Sequence, residues 1–156
     1  MATEHFYKIN TVWTGNSGNG TKNYRAYERS FIIKASGKVD IDGTSDTAFN
    51  SDKSKHNPEE LFLSAISSCH LLWYLHVCSQ ADVSVLAYQD EATGTMLETA
   101  DGGGHFTEVI LHVNVTVSHS SMAEKAMALH EKANQLCYIA NSCNFPIRHL
   151  AVVIVA

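Results

Sequence analysis

The sequence lacks the features that mark nucleic-acid binding, secretion and membrane insertion. Its 16 acidic residues outnumber its 11 basic residues, the formal net charge is -5, and the basic residues form no run. We therefore expect neither nucleic acid nor an anionic membrane as a partner. The first ten residues, MATEHFYKIN, contain no apolar segment of the signal-peptide type, and no uninterrupted apolar run approaches the ~20 residues that span a bilayer. These absences favour a cytoplasmic protein.

Patterns typical of metal and phosphate binding are missing as well. Nine histidines and four cysteines are present, but no Cys-x-x-Cys or His-x-x-x-His pair occurs at ligand spacing. A metal site would require other segments to converge on Cys69 with His70 or His76. The glycine-rich segments GNSGNG and DGGGH lack the Lys-Ser/Thr of a phosphate-binding loop and are predicted to be turns. We therefore expect no metal and no bound cofactor.

The length and composition of the chain suit one globular domain over residues 1–156, because 45% of its 156 residues are apolar. Four cysteines in a reducing compartment rarely form a static disulfide framework. They are more often buried, metal-binding or redox-active. The positions of these cysteines therefore carry most of the functional information.

Hydrophobic periodicity predicts an α+β fold with antiparallel sheets and two main helices. The polar and glycine-containing segments between the apolar runs predict turns. Strands are predicted at 5–14, 22–34, 37–42, 83–91, 94–98 and 105–118, and in the closing LAVVIVA. The first helix is long and central, and SMAE, residues 121–124, predicts a capping box that opens the second helix.

The first helix has a strong start signal, with Asn57 as N-cap, Pro58 at the first position and Glu60 at the third. Its apolar stripe is predicted to comprise Leu61, Phe62, Ala65, Ile66, Cys69, Leu72, Trp73, His76 and Val77. The stripe of the second helix comprises Met122, Ala126, Leu129, Ala133, Leu136 and Cys137. A thiol is thus predicted on the core face of each helix, where two buried spectator cysteines would also be ordinary.

Two motifs resemble those of a known family. The run from Asn57 to Leu61, with Cys69 ten residues after Glu59, resembles the first-helix motif of the OsmC/Ohr family of thiol-dependent hydroperoxide reductases. HEKANQLCYIANS, residues 130–142, is similar to the family's second-cysteine motif, and CHLLWYLH and IANSCNFP resemble the OsmC-like branch. The resemblance implies an intertwined α+β homodimer with active sites at the subunit interface. It also implies an antioxidant peroxidase of the oxidative stress response.

The resemblance further implies roles for individual residues. Cys69 would be the attacking thiol, Cys137 the resolving thiol, and Glu59 the active-site glutamate. An arginine from YRAYERSF completes the site, and Arg29 fits the branch pattern better than Arg25. The alternative for either arginine is a solvated charge on a strand face.

A guanidinium next to Cys69 would favour its thiolate form. The thiolate is the nucleophile, and an unperturbed thiol is mostly protonated at pH 7. Cys69 lies too far into its helix for the N-terminal dipole to act on it. Glu59 would hold the arginine in a bidentate pair. Glu59 and Cys69, however, lie about 15 Å apart along one helix. Two helices packed antiparallel about a two-fold axis would bring Glu59 of one chain to Cys69 of the other.

The function predicted is reduction of organic hydroperoxides to alcohols, with an intrachain disulfide between Cys69 and Cys137 recycled by an external dithiol of lipoyl type or similar. A non-enzymatic redox sensor, a small apolar-ligand binding protein and a purely structural dimer are the alternatives. Cys143 departs from the branch pattern, which leads us to expect an aliphatic residue there, and it is either a second resolving thiol or a packing residue. Cys78 is predicted to be a packing residue.

Overall fold

The computed structural model describes residues 3–46 and 51–156. Its contacts group into two compact units, one ending at Leu61 and one spanning Phe62–Ala156. Both helices and all the strands described below support the predicted α+β class. The single domain expected over 1–156 remains a prediction.

The first unit contains a small antiparallel sheet of three strands in the order β1-β2-β3. These are β1 (Asn10–Trp13), β2 (Phe31–Lys34) and β3 (Ile41–Gly43). The strand predicted over 22–34 is confirmed only from Phe31 onward. The preceding segment folds into turns, which the Arg29 guanidinium ties together by donating hydrogen bonds to the carbonyls of Tyr24 and Tyr27.

The first long helix, α1, runs from Pro58 to Gln80, as its capping signal predicts. Asn57 Oδ1 accepts a hydrogen bond from the Glu60 amide at 2.7 Å, and the Glu60 carboxylate accepts one from the Asn57 amide at 3.3 Å. These two bonds form a reciprocal capping box. At the other end Asp82 adopts a left-handed conformation with φ 55°, and the Val83 amide donates to the Cys78 carbonyl at 2.9 Å. This Schellman motif ends the helix.

The second unit is organised around one long central strand. The strands are β4 (Val85–Asp90), β5 (Thr93–Glu98), β6 (Gly104–Val117) and β7 (Ile147–Val155). β4 and β5 pair with β6 antiparallel, whereas β7 pairs with it in parallel. The sheet is therefore mixed, because the chain crosses over through the second helix before it returns as β7.

The second helix, α2, runs from Ala123 to Leu136. A 3-10 turn over Ser120–Met122 precedes it, and Met122 occupies the N-cap without a side-chain capping bond. The predicted SMAE capping box is wrong, because Ser121 is taken up by the 3-10 turn and does not stand at the N-cap. The helix itself is confirmed.

The core of the second unit lies between the two helices and β6, which turns its odd-numbered residues from Val109 to Val117 inward. The buried residues of α1 are Ile66, His70, Tyr74, Val77 and Cys78, and those of α2 are Ala126, His130 and Ala133. The predicted apolar stripe of α1 is therefore rotated from the true one, and Leu72 is 66% exposed. Apolar periodicity misses the buried face because two of its residues are polar aromatics.

By length and composition alone, α1 is apolar enough to cross a membrane, with a mean hydropathy of 1.5 over its most apolar window. The core helix of a globular protein passes the same test. Ile66 and Tyr74 of α1 are fully buried in the protein core. The burial covers only 28% of that window, and Leu72 and Leu75 of the same helix are exposed.

Candidate active site

The structure brings Cys69 and Cys137 together. Cys69 lies in the middle of α1 and is half-buried, at the edge between the buried and the exposed side of the helix. Cys137 follows the last residue of α2, has an extended conformation with φ -67° and ψ 110°, and is fully buried. The two thiols are neighbours, because Cys69 contributes to the raised pKa of the Cys137 thiol. One chain thus supplies both sulfur atoms of a potential disulfide.

The surroundings of Cys137 keep its proton in place. Burial raises the pKa of the Cys137 thiol to about 12, with a further contribution from Cys69. The position at the C-terminal end of α2 acts in the same direction, because the helix dipole there disfavours an anion. The backbone amide of Ala140 donates to Cys137 Sγ at 3.4 Å and opposes these effects. At neutral pH Cys137 therefore keeps its proton.

A shallow apolar recess lies on the part of α1 that follows Cys69. It has a volume of about 210 Å³ and is lined by Leu72, Trp73 and His76. Leu72 and Trp73 are three and four residues after Cys69 and so share its side of the helix. Trp73 also contacts the ring of Tyr138, edge to face at 5.3 Å, and Tyr138 directly follows Cys137. The thiol pair is therefore flanked by aromatic surface.

Arg29 is held by its own neighbourhood in the first unit. The guanidinium donates to the carbonyls of Tyr24 at 2.9 Å and Tyr27 at 3.3 Å. It also lies over both aromatic rings, at 4.1 Å and 4.7 Å from their centroids. Arg25, in contrast, is exposed. Of the two arginines considered, Arg29 is the one that the fold orients.

Glu59 lies in the first turn of α1 and is half-buried. Its Oε2 atom is buried and has no hydrogen-bond partner among the described residues. The salt bridges within the described chain are Lys34–Asp40, Lys55–Asp52, His56–Glu60 and Arg148–Glu108. The structure of one chain therefore does not join Arg29 to Glu59, although it does join the two thiols.

The other two cysteines have local partners. Cys78 is buried near Tyr74, and burial raises the pKa of its thiol. Cys143 is half-buried and donates to the Ile139 carbonyl at 3.3 Å, and burial raises its pKa as well. Neither environment favours a thiolate.

A cluster of two buried histidines, one half-buried histidine and a buried tyrosine includes the residue after Cys69, and the sequence interpretation missed it. His70 Nε2 and His130 Nδ1 are 3.1 Å apart, and His149 and Tyr74 pack against both rings. Burial lowers the pKa of His70 to about 4 and that of His130 to about 3. The signal that could have revealed the cluster is the helical spacing of His70 and Tyr74 with Ile66 and Val77.

Among residues 3–46 and 51–156 no group of three or more His, Cys, Asp or Glu side chains is arranged to hold a metal ion. The histidine cluster illustrates why. His70 and His130 point a nitrogen at each other, and the ring of His149 lies against theirs. The three rings therefore do not converge on a common point.

Comparison with known proteins gives a family and a fold. A family model described as OsmC-like protein matches residues 51–149. No curated protein matches the chain. The matched segment contains both thiols, Glu59, and the histidine cluster.

Several solved structures share the fold over nearly the whole chain. An OsmC-like protein of unknown function from Vibrio cholerae has a TM-score of 0.84 at 23% identity, covering 96% of this chain and 100% of that one. An organic hydroperoxide resistance protein from Elizabethkingia anophelis has a TM-score of 0.68 at 23% identity, covering 99% and 100%. The organic hydroperoxide resistance protein OsmC from Legionella pneumophila has a TM-score of 0.68 at 19% identity, covering 97% and 100%.

Proposed function

Since the chain belongs to the family of OsmC-like proteins, we propose that it is a thiol-dependent peroxidase that reduces organic hydroperoxides to alcohols. The observation that carries this proposal is the contact between Cys69 and Cys137 within one chain. Two of the solved structures with the same fold are named organic hydroperoxide resistance proteins, which supports the choice of substrate class.

The proposed cycle has three balanced steps. The Cys69 thiolate attacks the distal oxygen of the hydroperoxide, the O–O bond breaks, and Cys69 becomes a sulfenic acid while the departing alkoxide takes up a proton from water and leaves as the alcohol. The Cys137 sulfur then displaces the sulfenic oxygen as water, forming the disulfide. An external dithiol reduces this disulfide by thiol–disulfide exchange and is itself oxidised to a disulfide.

The assignment of Cys69 as the attacking thiol rests on its surroundings. Cys137 is fully buried and keeps its proton at neutral pH, whereas Cys69 is half-buried and lies just before the recess formed by Leu72, Trp73 and His76 on α1. The recess would hold the apolar group of an organic hydroperoxide while its O–O bond meets Cys69. Hydrogen peroxide has no apolar group to place there, so organic substrates should be preferred.

The charged half of the site is proposed to require a second copy of the chain. Glu59 and Cys69 are on one helix about 15 Å apart, so Glu59 cannot serve the thiol of its own α1. In a homodimer whose α1 helices pack antiparallel, Glu59 and Arg29 of one protomer would approach Cys69 of the partner subunit. The unpartnered, buried Glu59 Oε2 supports this arrangement, because a buried carboxylate oxygen without a partner is costly.

Steady-state turnover tests the proposed function. We expect rapid and repeated consumption of cumene hydroperoxide with dihydrolipoamide as reductant, slower consumption of hydrogen peroxide, and no turnover in a Cys69→Ser variant. Monothiol glutathione at equal thiol concentration serves as the reductant control. A single stoichiometric oxidation without turnover would indicate a redox sensor, and unreactive thiols would indicate a structural protein.

A further inference from the structure

The helices that carry the two thiols pack antiparallel, and their contacts form an ordered series. Starting from the thiol pair, the next contact joins His70 to His130, followed by a hydrogen bond of 3.1 Å from the Tyr74 hydroxyl to the Ala126 carbonyl. As α1 advances along this series, α2 runs backward. The histidine pair thus lies one residue from Cys69 on α1 and seven residues, about two turns, from Cys137.

The histidine pair has the geometry of a direct, in-plane hydrogen bond. The two ring planes differ by only 4° and their centroids are 5.4 Å apart. That separation is what an N···N distance of 3.1 Å plus the two ring radii requires, so His70 Nε2 and His130 Nδ1 point straight at each other. One ring donates its N–H and the other accepts. Such a bond fixes both the distance between the helices and their rotation.

The pair is held from both sides. The Tyr74 ring stacks on His130 at a centroid distance of 3.9 Å and 11° between planes. His149 of β7 lies against both histidines at 5.6 Å. His70 and His130 are 1% and 0% exposed, and the outer nitrogens, His70 Nδ1 and His130 Nε2, have no hydrogen-bond partner among the described residues. Burying two such nitrogens costs stability, so the pair is not explained as a means of stabilising the fold.

We propose that His70 and His130 are positioning residues, whose mutual hydrogen bond sets the approach of α2 to α1 that lets Cys137 reach Cys69. This inference rests on the proposed function, because it assigns a role in the resolving step. His70 directly follows Cys69 on α1, and His130 of α2 lies about two turns before Cys137, which follows the end of that helix. A shift of about 1 Å between the helices at this level would separate two sulfur atoms that must approach to bonding distance.

The consequence concerns the fate of the sulfenic acid. Once Cys69 has been oxidised, either Cys137 displaces its oxygen as water, or a second hydroperoxide oxidises it to the sulfinic acid and leaves as a second alcohol. A higher effective concentration of Cys137 favours the first outcome. The histidine pair thus protects Cys69 from irreversible oxidation without touching the substrate.

The test measures the equilibrium between the two thiols and their disulfide in a glutathione buffer, so it needs no hydroperoxide. Two thiols plus glutathione disulfide yield the protein disulfide plus two glutathione molecules, and the equilibrium constant gives the effective concentration of the pair. Failure of the peroxidase proposal would leave this measurement valid. His70→Phe and His130→Phe each remove one partner, and His105→Gln on the exposed part of β6 is the control.

Two double variants of identical composition give the sharpest comparison. A Gln amide overlays the Nε2 position of histidine, and an Asn amide overlays the Nδ1 position. The matched double variant, His70→Gln with His130→Asn, therefore keeps an uncharged hydrogen bond of the native length. In the swapped double variant, His70→Asn with His130→Gln, neither amide overlays the ring nitrogen that makes the native hydrogen bond. Because the two variants contain the same groups, they differ only in the geometry of the bond.

We expect the effective concentration to fall about tenfold in each Phe variant and in the swapped double variant, and to stay within about twofold of native in the matched double variant and in His105→Gln. A bond that merely stabilises the fold would lower the melting temperature of the reduced and oxidised proteins equally and leave the equilibrium constant unchanged. An unchanged constant in the Phe variants would therefore overturn the proposal. If the Phe variants do not fold, equal constants in the two double variants would overturn it.

Discussion

The two halves of the predicted site are built differently. In the second unit the thiols of Cys69 and Cys137 are already neighbours within one chain. In the first unit Arg29 is bound by the turn at Tyr24 and Tyr27, while one oxygen of Glu59 is buried without a partner among the described residues. The sulfur chemistry is thus preassembled in the monomer, whereas the charge chemistry is not.

The comparison separates two kinds of requirement. Disulfide formation depends on how α1 and α2 pack, which is decided by contacts inside the second unit. Activation of the Cys69 thiolate is proposed to depend on assembly, since one helix cannot bring its own Glu59 to its own Cys69. Each prediction below changes either the thiols and their surroundings or the charged residues. The properties of the unchanged group can then still be measured.

The largest effect should come from the thiols themselves. Cys69→Ser should abolish hydroperoxide consumption, because a serine hydroxyl is not ionised at neutral pH. Cys137→Ser should consume one equivalent and then stop as a sulfenic acid, which a dimedone-type probe traps and mass spectrometry detects. A Cys69→Ser protein that turns over normally would contradict the mechanism.

Acid should lower the free energy of unfolding, because His70 and His130 are buried in the second unit. Burial lowers the pKa of His70 and His130 from 6.5 to about 4 and about 3. The unfolded chain therefore binds more protons below pH 6.5, and the free energy of unfolding falls as the pH decreases toward 4. Between pH 7 and pH 5 we expect a loss of about 2 kcal/mol for each histidine. Urea unfolding followed by circular dichroism at both pH values measures it.

The matched double variant, His70→Gln with His130→Asn, is the control for this pH dependence, because its amides do not titrate. Its free energy of unfolding should change much less than that of the native protein between pH 7 and pH 5. Equal slopes in the two proteins would show that these histidines are not the source of the acid sensitivity.

The charge half should respond more weakly. Arg29→Ala removes the guanidinium proposed to stabilise the Cys69 thiolate, and one pKa unit corresponds to a tenfold change in thiolate at pH values well below the pKa. We expect the second-order rate constant for Cys69 oxidation to fall about tenfold at pH 7, measured by stopped-flow with one equivalent of cumene hydroperoxide. Arg25→Ala should change it less than twofold, because Arg25 is exposed. A larger loss of this rate constant in Arg25→Ala than in Arg29→Ala would show that Arg25 stabilises the Cys69 thiolate.

The smallest effect should come from Cys143. Its thiol donates to the Ile139 carbonyl at 3.3 Å and fills a half-buried position, so Cys143→Val should leave turnover within about twofold of native. Steady-state consumption of cumene hydroperoxide with dihydrolipoamide checks this. A loss as large as that of Cys137→Ser would identify Cys143 as the resolving thiol.

Local signals in the sequence predicted the start of α1 well, because Asn57 and Glu60 cap one another without help from distant residues. They failed where distant contacts decide. Residues 22–34 were predicted to form one strand, yet Arg29 closes the first part of this segment into turns. His70 and His130 are polar and were not assigned to the core, although each makes the burial of the other tolerable.

Sequence motifs drew attention to the two cysteines but not to the histidines packed between the helices, and the reason lies in the range of the contacts. Cys69 and Cys137 stand in motifs that can be recognised one segment at a time. The contact of His70 with His130 spans 60 residues, and the packing of His149 against both depends on the parallel pairing of β7 with β6. No periodicity within one segment encodes such a contact.

The central claim is that one chain supplies both sulfurs of the catalytic disulfide, and peptide mapping of a mixed sample tests it most directly. Native and ¹⁵N-labelled protein are mixed, reduced, denatured together, refolded and oxidised with one equivalent of cumene hydroperoxide. We predict a disulfide-linked peptide pair containing Cys69 and Cys137, with both peptides labelled or both unlabelled. Linked pairs of mixed label, or an oxidised protein without a Cys69–Cys137 peptide, would contradict the account.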